Sequence, residues 1–325
     1  MGPDGPRAGT APVVLFISGW GRSGSTLLDR LMGELPGAVS VGEVWNVWMN
    51  GFVRDELCGC GSAFGSCPFW SAVAERAFGG VGAVDGRRVR RRMRSVARLK
   101  ALPRLVTGRV GAGSYRRAFD DYGATLTALY EAIAAESGAA VIIDSSKTPQ
   151  HGFLLNRLPG VRLTMVHLVR DSRAVAFSWQ RHKERPEGTD RSATIARYPP
   201  GRSAVSWLLA NLLSEGLRRL APTSLRVRYE DLVAEPSATL ARVAALVGLA
   251  PPGPAVDGGL RLGPAHTAAG NPMRFATGPI ELRADDEWAG RSWPGRGVVG
   301  ALTWPLLLRY GYRLRPSCRP GGGPP

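Results

Sequence analysis

Apolar residues along the chain fall into two kinds of pattern. Val13-Val14-Leu15-Phe16-Ile17 is a short, β-branched-rich run ending at Gly19 and reads as a buried strand. Leu27, Leu28, Leu31 and Met32 then recur at helical spacing, which predicts a helix over 26–35 stopped by Pro36-Gly37. Similar short runs at 38–41, 139–143, 163–169 and 224–228 predict four more strands. Helical periodicity covers 115–136, 174–182, 205–220 and 236–246, and a strongly basic helical stretch covers 87–104. Strands alternating with helices predict an α/β chain with a parallel sheet covered on both faces, so three layers. Ligands of such sheets lie at the carboxyl ends of the strands. With no repeat and no linker, residues 13–315 read as a single domain, flanked by flexible ends at 1–12 and 316–325.

Composition narrows the class. The 325 residues are 44% hydrophobic and 21% charged, which excludes a disordered or collagenous chain. Four cysteines are too few to staple so long a chain, so a reducing cytoplasm is the expected compartment. The longest apolar stretch, Val298 to Leu308, contains Pro305 and is shorter than the ~20 residues a bilayer span needs. The first twelve residues lack the apolar core of a signal peptide. The net charge of +16 suggests an anionic partner, yet all the basic residues except Lys100, Lys147 and Lys183 are arginine. That skew fits compositional bias as well as a basic surface, so nucleic acid is not an expected partner.

The segment Gly19 to Thr26, GWGRSGST, follows the first strand and opens the first helix. Glycines that turn backbone N–H groups inward, beside a helix N-terminus, form an anion cradle. Gly19, Gly21 and Gly24 spell a dinucleotide-type G-x-G-x-x-G, with Glu43 at a ribose-binding distance downstream. Gly19 and Gly24 also have Walker A spacing, with Ser25 where the lysine belongs. A third reading takes Arg22, Ser23, Ser25 and Thr26 as a guanidinium and three hydroxyls meeting a phosphate directly.

Taken with its flanking residues, G-x-G-R-S-G-S-T-L-L resembles the phosphosulfate-binding loop of the PAPS-dependent sulfotransferases. Three later segments resemble that family in the same order. HLVRDSRAVAFSW, His167 to Trp179, is similar to its 3′-phosphate motif, with Arg170 at a strand end and Ser178 eight residues on. RYEDL, Arg228 to Leu232, resembles the segment whose tyrosine, here Tyr229, lies by the adenine. GNPMRF, Gly270 to Phe275, resembles a late basic loop that closes on the nucleotide, here with Arg274. The layout is closest to tyrosylprotein and carbohydrate-type members. The resemblance implies a P-loop nucleoside triphosphate hydrolase-like fold, PAPS as co-substrate, and no metal. It also implies that Arg22, Ser23, Gly24, Ser25, Thr26, Arg170, Ser178, Tyr229 and Arg274 bind the donor. Physically, recognition of a 3′-phosphate needs a second anion site well separated from the first, and Arg170 can offer it a bidentate fork.

Sulfuryl transfer needs a base for the acceptor hydroxyl and cations on the transferring group. Glu43, in VGEVW, resembles the glutamate base of tyrosylprotein sulfotransferases; none of His151, His167, His182 and His266 has the context of the histidine base used by cytosolic members. Lys147, in IIDSSKTP, stands where the family places a lysine beside the transferred group, and Arg22 shares that role. Asp144 at a strand end keeps open a magnesium-dependent kinase, and a nucleotide-binding module without turnover is a further alternative.

Cys58, Cys60 and Cys67 invite a metal reading, but C-x-C plus one cysteine with no nearby histidine is incomplete, so packing thiols are expected. The 87–104 stretch holds nine basic residues and no acid. It reads as a solvated face, an acceptor guide, or a peripheral membrane contact. The acceptor, a small-molecule, glycan or lipid hydroxyl, is expected to meet a helical insertion at about 45–138, where Trp45, Trp48, Phe52 and Trp70 either line its pocket or belong to the core.

Overall fold

The computed structural model describes residues 11–181, 197–253 and 260–314. His182, Lys183, Cys318 and nearly all of the two expected flexible ends lie outside them.

The five apolar runs form β1 (Val13–Gly19), β2 (Ala38–Gly42), β3 (Val141–Lys147), β4 (Arg162–Val169) and β5 (Thr223–Arg228). They pair in parallel in the order β2-β3-β1-β4-β5. Successive side chains of β1 point to opposite faces. Leu15 and Ile17 pack with the first helix and with Leu240 and Val243, while Val14 and Phe16 pack in the opposite layer with Trp48, Tyr130 and Phe153. Both faces are therefore buried, giving the three-layer α/β architecture. The order excludes a dinucleotide-binding fold, in which the second strand adjoins the first; here β3 separates them.

Helices fill the connections. α1 (Ser25–Gly33) follows β1, and α2 (Val44–Asn50), α3 (Pro68–Phe78), α4 (Gly86–Val96), α5 (Leu102–Thr107) and α6 (Ser114–Ser137) lie between β2 and β3. α7 (Pro149–Leu155) joins β3 to β4, and α8 (Ser172–Gln180) and α9 (Pro200–Leu220) precede β5. α10 (Tyr229–Ala234) and α11 (Pro236–Leu246) follow, then a short antiparallel pair, β6 (Leu260–Leu262) and β7 (Gly278–Ile280), and finally α12 (Glu287–Gly290) and α13 (Arg296–Arg309). Among the described residues no helix is long and apolar enough to cross a membrane.

One expectation changes, and one open alternative resolves. The basic stretch is not one helix: α4 ends at Val96, and a 3-10 turn at Leu99–Ala101 precedes α5. Pro103, which lacks an N–H to continue the earlier helix, falls in the first turn of α5, where no such bond is needed. Trp48 and Trp70 are completely buried and belong to the core, with Trp45 and Phe52 packed partly exposed against it.

Register places the site. Ser18 pairs with Lys147, Gly19 with Leu168, Gly42 with Asp144, and Val169 with Arg228. The residues at and just beyond the strand ends, Glu43, Lys147, Arg170 and Tyr229, consequently emerge along one edge of the sheet beside the loop after β1.

Candidate active site

A cleft of about 440 Å³ opens at that edge. Arg22, Gly24, Ser25, Thr26, Glu43, Lys147, Arg170, Ser178, Tyr229 and Arg274 all line it. Ser23 does not, its side chain being buried within the loop, 2% exposed. Residues drawn from well over half the chain length thus converge on one cavity.

The loop after β1 is shaped by two left-handed residues, Arg22 at φ 70° and Gly24 at φ 89°. The first is uncommon for a side chain as large as arginine, and such conformations persist where the surroundings enforce them. Glycine is required at the second: a Cβ on Gly24 would stand 2.4 Å from the Tyr229 ring. α1 begins without a side-chain cap, so its first backbone N–H groups face the cleft end. Arg22 Nε and Nη1 and the Ser23 hydroxyl are buried without a hydrogen-bond partner. Buried donors of this kind fit an anion held by the loop. Burial, and then the neighbouring Arg181, pull the Arg22 guanidinium below its usual range, and its plane lies over Trp179 at 4.9 Å.

Arg170 donates to the Arg22 carbonyl at 3.0 Å and to Asp285 Oδ2 at 3.0 Å, with its guanidinium 4.3 Å above the Tyr229 ring. Arg170 thus reaches the backbone of the loop that carries Arg22, because β1 and β4 are hydrogen-bonded neighbours whose ends adjoin. Tyr229 supports Gly24 on one side and Arg170 on another. Asp171, the nearer acid, instead caps α8 and pairs with Arg173. Asp285 also binds Arg181. Burial raises its pKa, but the two guanidinium groups outweigh that and hold the carboxyl below its usual value.

At the other end of the cleft Lys147 donates to Glu43 Oε1 and, at 3.2 Å, to the Ser145 carbonyl. Lys147 sits at φ 65°, a turn that carries its ammonium back across the strand ends. Asn46 Nδ2 donates to Glu43 Oε2 at 2.7 Å, so both oxygens of the carboxylate are oriented. The late loop also lines the cleft. Asn271 N donates to Thr26 Oγ1 at 3.4 Å, and buried Arg274 donates to the Thr267 carbonyl at 3.0 Å.

Asp144 does not face the cleft. Fully buried, it accepts from Tyr130 Oη at 2.7 Å, His151 Nε2 at 3.1 Å and the Ser146 backbone at 2.9 Å. Its burial is outweighed by His151, Ser146 and Tyr130, which hold its pKa below normal. With both oxygens engaged it secures α6 and α7 to β3, and the kinase reading loses its magnesium ligand.

Several lining or supporting groups carry no motif: Asn46, Glu56, Arg181 and Asp285. Arg30, 1% exposed in α1, donates to the carbonyls of Arg274, Gly263 and Ala276 and so pins the closing loop. The most consequential omission is His266, whose ring lies against Cys58 and Cys67. It supplies the histidine that the cysteine segment lacked, and with a sequence separation of 199 from Cys67 no local spacing reveals it.

No family model matches this chain, and no curated protein does. Among solved structures, the sulfotransferase domain of the Synechococcus PCC 7002 olefin synthase is similar with a TM-score of 0.54 at 19% identity, covering 95% of this chain and 98% of that one. The sulfotransferase domain from the curacin biosynthetic pathway gives 0.52 at 17% identity, covering 94% and 99%. At these identities the likeness is one of fold, and the chain has the sulfotransferase fold over nearly its whole length.

Proposed function

We propose that this protein is a PAPS-dependent sulfotransferase acting on a hydroxyl acceptor. The observation that carries the reading is the convergence, in one cleft, of unpartnered cationic donors on the β1–α1 loop, Arg170 beside them, and an oriented Glu43–Lys147 pair. The loop and the α1 N-terminus hold the 5′-phosphosulfate, and Arg170 with Ser178 holds the 3′-phosphate. Glu43 takes the proton of the acceptor hydroxyl as its oxygen attacks sulfur. The bond from sulfur to the bridging oxygen breaks, its electron pair leaving with adenosine 3′,5′-bisphosphate (PAP). Lys147 and Arg22 stabilise charge on the sulfuryl and bridging oxygens, a task of positioning and electrostatics. Arg274 approaches the donor from the closing loop. The helices between β2 and β3 meet the acceptor, and the exposed arginines of α4 guide it toward the cleft.

The test couples binding to turnover. PAP should raise the melting temperature equally with and without magnesium, whereas magnesium-ATP should not. Glu43→Gln should keep PAP affinity and lower kcat by roughly 10²–10⁴-fold, the range for a general base. Preference for magnesium-ATP, or undiminished turnover in Glu43→Gln, would overturn the assignment.

A further inference from the structure

The cysteine segment that the proposed chemistry leaves unused forms a cluster with His266. One ligand atom from each of Cys58, Cys60, Cys67 and His266 lies within 4.8 Å of every other. Cys60 Sγ is 3.7 Å from Cys67 Sγ, and His266 Nδ1 is 3.2 Å from Cys67 Sγ and 3.9 Å from Cys58 Sγ. We infer that these residues form a tetrahedral Cys3His zinc site. With zinc–sulfur bonds of about 2.3 Å and a zinc–nitrogen bond of about 2.0 Å, tetrahedral ligand atoms stand about 3.5–3.8 Å apart, and the observed spacings straddle that range.

The surroundings are built for it. Cys58 and Cys60 lie in a tight turn, with Cys58 N donating to the Ser62 carbonyl at 2.7 Å and Gly61 N to the Cys58 carbonyl at 2.8 Å. Between them only glycine fits, since a Cβ on Gly59 would stand 2.3 Å from Thr267 Oγ1. Cys67 immediately precedes α3, whose N-terminus favours a thiolate. His266 is held by Trp70 Nε1, which donates to its carbonyl at 2.8 Å, and by stacking on Phe69 at 5.0 Å. Gly59 N donates to the Thr267 carbonyl at 3.0 Å, so the two strands of ligands are already aligned by backbone bonds. A dithiol pair accounts for two sulfurs; it leaves Cys58 and the inward-facing imidazole nitrogen unexplained.

The place of the site gives it a task. The segment after His266 extends the edge of β2, with Ala268 N donating to the Val41 carbonyl and Glu43 N to the Ala269 carbonyl. The same segment runs on to Asn271 and Arg274 at the cleft. Zinc would tie the turn after α2 to the root of this closing loop. The metal assignment is independent of the reading of the cleft; the effect on the loop rests on it.

Full-length protein expressed in zinc-supplied medium and freed of chelating tags should carry about one zinc per chain by elemental mass spectrometry. Cobalt exchanged for it should show intense thiolate-to-cobalt charge transfer and tetrahedral ligand-field bands. Cys60→Ser and His266→Ala should each lose most of the metal, and PAP affinity should fall several-fold with it. Zinc far below one equivalent together with no cobalt–thiolate band would overturn the inference, as would a Cys60–Cys67 disulfide in the native protein. Wild-type metal content and the cobalt spectrum decide the matter even if both variants fail to fold, and neither depends on sulfuryl transfer being the activity.

Discussion

Asp285 illustrates how one side chain sets the terms for a ligand. Its carboxylate occupies Arg170 and Arg181 together. Because those cations hold its pKa below the ordinary value, it stays ionised throughout the neutral range and competes with any anion arriving there. Asp285→Ala should therefore tighten PAP binding about three- to tenfold, or roughly 0.7–1.4 kcal/mol, as read by calorimetry. Weaker binding would mean that Asp285 orients Arg170 and does not obstruct it. Glu43 is held differently: Lys147 and Asn46 grip opposite oxygens, so its pose is set before an acceptor arrives.

At the scale of elements, the site depends on how α1 is joined to a loop more than two hundred residues away. Arg30 is buried in α1 and donates to three carbonyls of the 263–276 segment. Removing a buried charged donor leaves those acceptors unsatisfied, at a cost of about 1–3 kcal/mol. Arg30→Ala should lower the urea midpoint, and it should raise the KM for the donor more than it lowers kcat, because Arg274 and Asn271 ride on the loop while Glu43 does not. A kcat loss with unchanged KM would show that the loop acts in the chemical step. The basic connection behaves as a face rather than a rod. Met93 and Val96 of α4 are buried, Arg92 pairs with Asp121 of α6, and Arg87, Arg88, Arg91 and Arg94 point to solvent.

For the molecule as a whole, stability against pH is governed by buried acids of opposite behaviour. Asp29, fully buried in α1, has its pKa raised to about 7, chiefly by burial and also by nearby Asp144, with the Ser40 hydroxyl opposing. Between the ordinary carboxyl value and about 7 the unfolded chain ionises this group while the folded one keeps it protonated. Stability is thus full at the acid end and falls as pH rises toward 7, then levels off. Glu215 runs the other way. His167 leads the groups that lower its pKa to about 2, so the stability it contributes is present above the ordinary value and lost as pH falls. Asp29→Asn should remove the first dependence: its melting temperature relative to wild type should become more favourable from pH 5 to pH 8. A difference that stays constant across that range would show that Asp29 does not titrate in the folded protein.

All five strands of the main sheet were legible as short apolar runs, since a parallel strand buried on both faces is apolar at successive positions. That the loop after β1, Arg170 and Tyr229 meet at one edge of the sheet was equally legible, because each stands at or just beyond the end of an apolar run. Lys147, one of three lysines in the chain, stood out by composition alone. The break after α4, the sheet order that separates Glu43 from a ribose-binding role, and the engagement of Asp144 in the core all follow from packing between distant segments. So do Asp285 over Arg170, Arg30 beneath the closing loop, and His266 beside the cysteines. Hydrophobic periodicity reports which face of an element meets the interior. Which polar groups meet each other is settled only when the strands take their register and bring remote loops within hydrogen-bond reach.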